Sequence, residues 1–270
     1  MLPLPVLHGA HEFSLSAWHL EPSVLGALLI VVGLYIYAAN RPDSGIDLRR
    51  VLFFTLGAGS MVFALVSPLD AGAHRLLSLH MLQHIFLTTI GPPLVILGLP
   101  PGALRELFNT RRLGAVLRAV TTPVVAGALF ILNMWLWHIP PVYEAALNHL
   151  GVHIAMHIAF MGTGLLFWWP VIRLLPELSR IGDGGRLLYL FVTGFPMGLL
   201  ALLLIASSTT VYRYYDGADR MFGMSPVVDQ QVAGIIMGAL GEAASFIAMT
   251  LLFFRFLDRE EMAADAALGR

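Results

Sequence analysis

Residues 74–99 read HRLLSLHMLQHIFLTTIGPPLVILGL, and Arg75 is the only arginine, lysine or acidic residue among them. One helix needs roughly 20 mostly apolar residues to cross a bilayer core. The stretch is therefore long enough for a membrane-spanning helix. It also carries two imidazoles, His80 and His84, inside the apolar run.

The rest of the chain repeats this pattern. Hydrophobic residues make up 57% of the 270 residues and charged residues 12%, with a mean hydropathy of +0.77. Soluble proteins of this length do not carry so few charges. We predict an all-α, polytopic membrane protein with seven transmembrane helices in a single integral membrane domain. The predicted spans cover residues 23–39, 51–66, 74–99, 123–137, 150–174, 187–207 and 232–254.

The arginines predict the orientation of these spans, since the chain contains no lysine. Thirteen of them fall in the one-two, three-four and five-six linkers or in the C-terminal tail, and three fall on the opposite side: Arg75, Arg213 and Arg220. Cytoplasmic loops of membrane proteins carry the excess of positive charge. The N-terminus is therefore expected outside and the C-terminus in the cytoplasm.

In this topology all ten histidines lie toward the outer side: His8, His11, His19, His74, His80, His84, His138, His149, His153 and His157. With a rise of about 1.5 Å per residue, a third span that begins near His74 places His80 about 9 Å deep and His84 about 15 Å deep. The fifth span carries His153 and His157 at similar depths. A spacing of four keeps each pair on one helix face.

Two such pairs at matching depth favour a metal or haem site over isolated packing residues. Ionisable groups inside a membrane are costly and are functional candidates, and imidazole suits copper, zinc or haem iron better than magnesium or calcium. We predict His80, His84, His153 and His157 as ligands, with His138 as a fifth candidate. The remaining histidines are expected to be solvated or interfacial: His8, His11, His19, His74 and His149.

The sequence lacks the motifs of several enzyme classes. The pairs HMLQH and HIAMH have no glutamate at the position that a zincin protease needs, and the chain has no cysteine for a thiolate nucleophile or ligand. Glu242 is the only acid predicted inside a span. We expect no enzyme and no nucleic acid partner. The methionines of the histidine-bearing spans are interpreted as gap fillers: Met81, Met134, Met156 and Met161.

An ordered set of short motifs resembles a known family. The set comprises SPLD from Ser67, HMLQH from His80, GPPLVILGLP from Gly91, WHIPPVYEAAL from Trp137, H-x-x-x-H from His153, FWWP from Phe167 and DQQVAGIIM from Asp229. Together they resemble the CtaG family of cytochrome c oxidase assembly factors, of the multispanning type associated with caa-type oxidases. Asp229 itself begins the seventh span and is expected to cap that helix, with a hydrogen bond from a ligating histidine as the alternative.

The resemblance implies a multi-pass protein of the bacterial cytoplasmic (inner) membrane that supplies copper to haem-copper oxidase subunits. The histidines that match the family's motifs are His80, His84, His138, His153 and His157. One alternative is a haem-binding electron-transfer or quinol-linked protein with two histidine axial ligands. A copper permease is a third hypothesis. The sequence leaves open zinc as the metal and a homo-oligomer as the assembly.

Overall fold

The protein is a bundle of long helices. The computed structural model describes Trp18, residues 21–218 and residues 221–267, without the side chains of 263–267. This part of the chain contains no strand, which confirms the all-α prediction. The helices that correspond to the predicted spans, in chain order, are Pro22–Ala39, Leu48–Val66, Leu77–Gly98, Pro123–His138, Leu150–Ile172, Asp183–Ala206 and Pro226–Met262.

Six of these helices are long and apolar enough to cross a membrane. The fourth, Pro123–His138, reaches that length only together with Arg111–Val120, to which it is joined by a bend of 70°. Thr122 precedes the proline that starts the fourth span, and a proline disfavours helical backbone in the residue before it. The described residues therefore contain six helices able to cross a membrane, or seven if the bent pair is one span, and seven is the number that the hydropathy pattern predicts.

The third span starts later than the sequence suggests. A six-residue helix, Pro68–Ala73, follows the second span, and the third span begins only at Leu77. His74 therefore lies in the connection and not in the span. Counted from Leu77 at about 1.5 Å per residue, His80 lies about 4.5 Å and His84 about 10 Å along the helix. The pair is shallower than a start near His74 would place it.

Two stretches that the sequence suggests are simple linkers contain helices. Pro101–Asn109 and Arg111–Val120 connect the third and fourth spans. A nine-residue helix, Pro140–Asn148, connects the fourth and fifth spans. The prolines at the helix starts lack the N–H that would have no partner there. This third connecting helix brings Tyr143 over the end of the bundle where the histidines lie, called the histidine end below.

Both the third and the seventh span contain one π-helical turn. The turns are Phe86–Ile90 and Ile236–Leu240, and each is followed by a glycine, Gly91 or Gly241. A π-turn widens the helix locally, and such turns often occur at functional sites. In the third span the π-turn accommodates Pro92 and Pro93. These prolines have no N–H group to donate to the regular α-helical hydrogen bonds.

Small residues let the second and third spans approach closely. A Cβ atom built on Gly57 would lie 2.6 Å from the backbone nitrogen of Val95 and 2.9 Å from the carbonyl oxygen of Gly91. The first span adds to this face, since the Tyr35 ring stacks on Phe54 with 3.6 Å between the ring centroids. The second span is thus packed on the third, which carries the first histidine pair.

Candidate metal centre

Three histidines meet inside the bundle at the histidine end. His80 and His84 of the third span and His157 of the fifth span each place a ring nitrogen within 4.8 Å of the other two. The ring centroids are 4.3 Å apart for His80 and His84 and 5.8 Å apart for His84 and His157. All three side chains are buried. We call these residues the three-histidine group.

The helix period explains why the pairs converge. Residues four apart lie one above the other on a helix face, so each H-x-x-x-H pair presents two rings to one neighbour. The third and fifth spans pack on each other through Gly164, where a Cβ atom would lie 3.0 Å from the carbonyl oxygen of Thr88. The matching depth of the histidines predicted that they converge, but the sequence did not predict which spans touch.

Two tyrosines orient the His80 ring. The Tyr143 hydroxyl lies 2.6 Å from His80 Nδ1, and the Tyr215 hydroxyl lies 3.0 Å from the same nitrogen. The two hydroxyls are 3.0 Å apart, and Tyr215 donates to the carbonyl oxygen of Ala73. One assignment satisfies every donor: His80 Nδ1–H donates to Tyr143, Tyr143 to Tyr215, and Tyr215 to Ala73. This series of hydrogen bonds leaves the lone pair on His80 Nε2, and no described residue makes a hydrogen bond to that nitrogen.

The protein holds both phenols in place. Tyr143 stacks on Tyr212 with 4.1 Å between ring centroids, and the Tyr212 hydroxyl donates to the carbonyl oxygen of His138 at 3.0 Å. Burial raises the pKa of Tyr143 and of Tyr215 well above the ordinary value. Both therefore remain protonated donors over the physiological range. Sequence reasoning missed this pair, although Tyr143 stands in the WHIPPVYEAAL motif and Tyr215 in a linker at the same end.

Gln230 fixes the segment that carries Tyr212 and Tyr215. Its side-chain oxygen accepts from the N–H of Val211 at 2.7 Å, and its amide nitrogen donates to the carbonyl oxygens of Leu204 and Thr209. Gln230 is 2% exposed. The role of this residue of the DQQ motif is therefore structural, because it ties the end of the sixth span to the start of the seventh.

Asp229, beside it, caps a helix other than its own. Its carboxylate accepts from the N–H groups of Leu77 and Ser78 and from the Ser78 hydroxyl, at 2.7, 3.1 and 2.5 Å. A carboxylate is favourable at a helix N-terminus because the first N–H groups have no partner within the helix. The expected cap of the seventh span by Asp229 is therefore wrong, because Ser225 caps that span and Asp229 caps the third.

Gln83, between the two histidines of HMLQH, connects the third span to the SPLD motif. Its amide nitrogen donates to Asp70 Oδ1 at 2.8 Å and to the carbonyl oxygen of Ala64 at 2.9 Å. Ser67 accepts from the N–H of Leu69 and caps the short helix before the third span. Two motifs that are separate in the sequence therefore meet, and their contact fixes the third span beside its two histidines.

The other predicted ligands lie at different places. His153 is buried, with its ring 4.4 Å from His157 and 5.6 Å from His80, but it is not part of the three-histidine group. His138 stands apart and bonds through Nδ1 to the carbonyl oxygen of Met134 at 2.6 Å. The roles of His138 and His153 as ligands stay predictions.

Of the five histidines expected outside the site, the structure describes two. His74 is half-buried and its ring lies 5.5 Å from that of His153, so it extends the row of imidazoles toward the surface. His149 is exposed and precedes the first residue of the fifth span. His8, His11 and His19 lie outside the described residues.

The nitrogens of the three-histidine group fit a metal ion. A buried polar atom without a partner is costly. Within the part of the chain that the structure describes, His80 Nε2, His157 Nε2 and both ring nitrogens of His84 have no hydrogen-bond partner. A bound cation would satisfy one nitrogen of each ring. Neutral imidazoles bind zinc, copper, nickel and iron ions, and no thiolate is present in the chain.

A cleft begins directly beneath this group. Its internal space measures about 40 Å³, and His84 belongs to both the group and the lining of the cleft. Side chains from the third to the seventh span line it, and among them are Met81, Met134, Met197, Met237 and Glu242. Sequence reasoning assigned Met81 and Met134 to gap filling and did not detect an open space.

Comparison with known proteins gives the family. Residues 31–259 match the cytochrome c oxidase caa3 assembly factor family, Caa3_CtaG. The chain belongs to that family of oxidase assembly factors, which confirms the resemblance carried by the motifs. With several helices able to cross a bilayer, it is a multi-pass membrane protein.

Curated relatives come from mycobacteria. The chain is 25% identical over 273 residues to "Uncharacterized protein MT0111" of Mycobacterium tuberculosis, which covers 93% of this chain and 41% of that protein. It is 23% identical over 275 residues to "Uncharacterized protein ML1998" of Mycobacterium leprae, covering 92% and 41%. The chain thus spans about two fifths of the length of these relatives. No solved structure matches it.

Proposed function

We propose that this assembly factor binds copper in the three-histidine group and supplies it to a haem-copper oxidase subunit inserted alongside. The observation that carries the proposal is the meeting of His80, His84 and His157 with ring nitrogens that no protein group satisfies. The protein acts as a metallochaperone and not as an enzyme. Copper is its cargo, and the oxidase is its partner.

The hydrogen bonding of His80 supports metal binding through its other ring nitrogen. A ligating histidine usually donates its second ring N–H to an oxygen, which fixes the ring and raises its basicity as a ligand. Tyr143 provides that oxygen at 2.6 Å from Nδ1. The three imidazoles are neutral ligands without competing carboxylates, so they suit copper, with zinc as the alternative ion.

The ring packing favours an ion over haem. A haem with two histidine ligands lies as a flat plate between its axial imidazoles. The His84 ring lies 4.3 Å from His80, and the His153 ring lies 4.4 Å from His157. These rings take up space that a plate between His80 and His157 would need. The haem-binding electron-transfer protein is therefore the second candidate.

The arginine distribution supports a site that opens to the outside of the bacterial cytoplasmic membrane. The linkers at the end opposite the histidines carry the arginine excess, which is typical of the cytoplasmic side. The half-buried His74 lies between the surface and His153. Copper would enter from this side, and the oxidase subunit would receive it there.

Metal analysis of the purified protein tests the proposal. We expect copper bound to the wild-type protein and a colourless spectrum without a Soret band. His157→Ala should lose the copper of the three-histidine group and so bind less copper than the wild type, while the exposed His149→Ala should keep the wild-type content. Cells with His157→Ala should assemble an oxidase that is deficient in copper. Unchanged copper stoichiometry in His157→Ala, or a Soret band in the wild type, would overturn the proposal.

A further inference from the structure

Four methionines line the cleft beneath the three-histidine group: Met81, Met134, Met197 and Met237. They come from the third, fourth, sixth and seventh spans, so no single helix repeat explains their meeting. Methionine fills irregular gaps in packed cores. These side chains instead border a space of about 40 Å³ that they leave unfilled, which is enough for a bound ion. Gap filling alone therefore does not account for their meeting.

The cleft and the three-histidine group share His84. Both ring nitrogens of His84 are buried, and neither has a hydrogen-bond partner among the described residues. A ligand in the three-histidine group satisfies one of them, because each imidazole offers one nitrogen to one ion. The second nitrogen stays unsatisfied unless another ligand takes it. A second ion in the cleft would satisfy this nitrogen too.

Glu242 can give the cleft a negative charge when a cation is bound there. It is the one acidic side chain among the described residues of the lining, and its carboxylate faces the sixth span at Gly194, where a Cβ atom would lie 3.4 Å from Oε2. An isolated charge at membrane depth is costly, but a carboxylate paired with a monovalent cation is neutral as a pair. The lining thus suits a cation of charge one.

Both π-turns contribute to the lining. Thr88 and Thr89 come from the turn in the third span, and Met237 comes from the turn in the seventh. Each turn widens its helix at the level of the cleft. The two irregular turns on neighbouring spans therefore have a common consequence, which is space between the spans below His84.

We propose that the cleft is a second metal site, a thioether site for Cu(I), joined to the three-histidine group through His84. Thioether sulfur is a soft ligand that selects Cu(I), and Glu242 balances the charge of the ion. The inference rests on the proposed function only in naming copper as the metal. The histidine group would then receive copper near the surface, and the cleft would hold it deeper in the bundle.

Titration with Cu(I) under anaerobic conditions, combined with X-ray absorption at the copper edge, tests this site. We expect about two Cu(I) per wild-type chain and a sulfur contribution to the copper coordination. The matched variant replaces Met81, Met134, Met197 and Met237 by leucine, which conserves volume but removes sulfur. It should keep about one Cu(I) per chain on imidazole nitrogens alone. The control is Met156→Leu, at a buried methionine outside the cleft lining.

A second variant separates the two sites. His80→Ala with His157→Ala removes two of the three ring nitrogens and leaves the cleft lining intact. It should keep about one Cu(I) with sulfur coordination. If the fourfold leucine variant does not fold, the single variant Met237→Leu replaces it. This variant should lower the sulfur contribution to the copper X-ray absorption signal.

The outcomes distinguish the two proposals. A fourfold leucine variant with wild-type copper content, or a wild type without copper–sulfur scattering, overturns the thioether site and leaves the histidine site standing. A histidine double variant with undiminished copper content overturns the proposed function. Loss of all copper in the histidine double variant overturns the thioether site as an independent one.

Discussion

The carboxylate of Asp229 and the residue Ser78 are 151 positions apart in the chain, yet Asp229 Oδ1 accepts from both the N–H and the hydroxyl of Ser78. The other carboxylate oxygen accepts from the N–H of Leu77. The seventh span therefore sets the point at which the third span begins. Because His80 follows three residues after Leu77, this contact also sets the position of the first ligand.

Replacing Asp229 by alanine should destabilise the protein. The change leaves buried N–H groups at the start of the third span without their acceptor, and losing hydrogen bonds to a charged group costs about 1.5–3 kcal/mol. Ser225→Ala, which removes an exposed cap of the seventh span, should cost about 1 kcal/mol or less. Thermal unfolding in detergent measures both. Equal effects of the two variants would contradict the role of Asp229.

Tyr143→Phe should weaken metal binding without abolishing it. The substitution removes the hydroxyl 2.6 Å from His80 Nδ1 and leaves Tyr215 as the remaining phenol. Loss of such an orienting partner typically costs 10–100-fold in metal affinity, and we expect about tenfold here. Competition with a copper chelator measures the affinity, and Tyr214→Phe serves as the control. An unchanged affinity would show that the phenol does not orient the ligand.

His153→Ala should affect copper binding less than His157→Ala does. The His153 ring is close to the three-histidine group, but His153 does not belong to the set of histidines whose ring nitrogens all lie within 4.8 Å of one another. We therefore expect an unchanged stoichiometry with a weaker affinity, whereas His157→Ala lowers the stoichiometry. Copper analysis at several protein concentrations separates these results. If both variants lose copper equally, the ligand set contains four histidines.

Gly57→Ala should destabilise the contact between the second and third spans. The added methyl group would meet backbone atoms of Val95 and Gly91 at 2.6 and 2.9 Å, so one helix has to move. Overpacking of this kind costs about 1–3 kcal/mol. Gly59→Ala, two residues on, has nothing within 4 Å of the new atom and should be neutral or slightly stabilising. Similar melting temperatures for the two variants would argue against the close approach.

Hydropathy and residue spacing predicted the helical spans and the convergence of His80, His84 and His157. They did so because membrane helices need long apolar runs and because a spacing of four defines one face. The helices of residues 101–120 escaped prediction, since their arginines and short lengths resemble a polar linker. Their stability depends on contacts with the spans.

The parts of the site that were not predicted from the sequence all depend on contacts between residues that are far apart in the chain. Tyr215 reaches His80 across 135 positions of the chain, and Asp229 reaches Leu77 across 152. No local pattern encodes such contacts. The cleft below His84 is likewise formed by five spans together, and the π-turns that widen it have no distinct composition.

The π-turn of the third span connects two helix segments, and its length determines how the second segment is rotated about the helix axis relative to the first. Each residue of an α-helix advances by about 100°, so one residue more or fewer in the turn would rotate everything beyond it by that angle. Before the turn, Asp229 and Tyr143 fix which way the imidazoles face; after it, the second span fixes Gly91 and Gly98. A chain shortened by one residue at 86–90 could keep only one of these alignments.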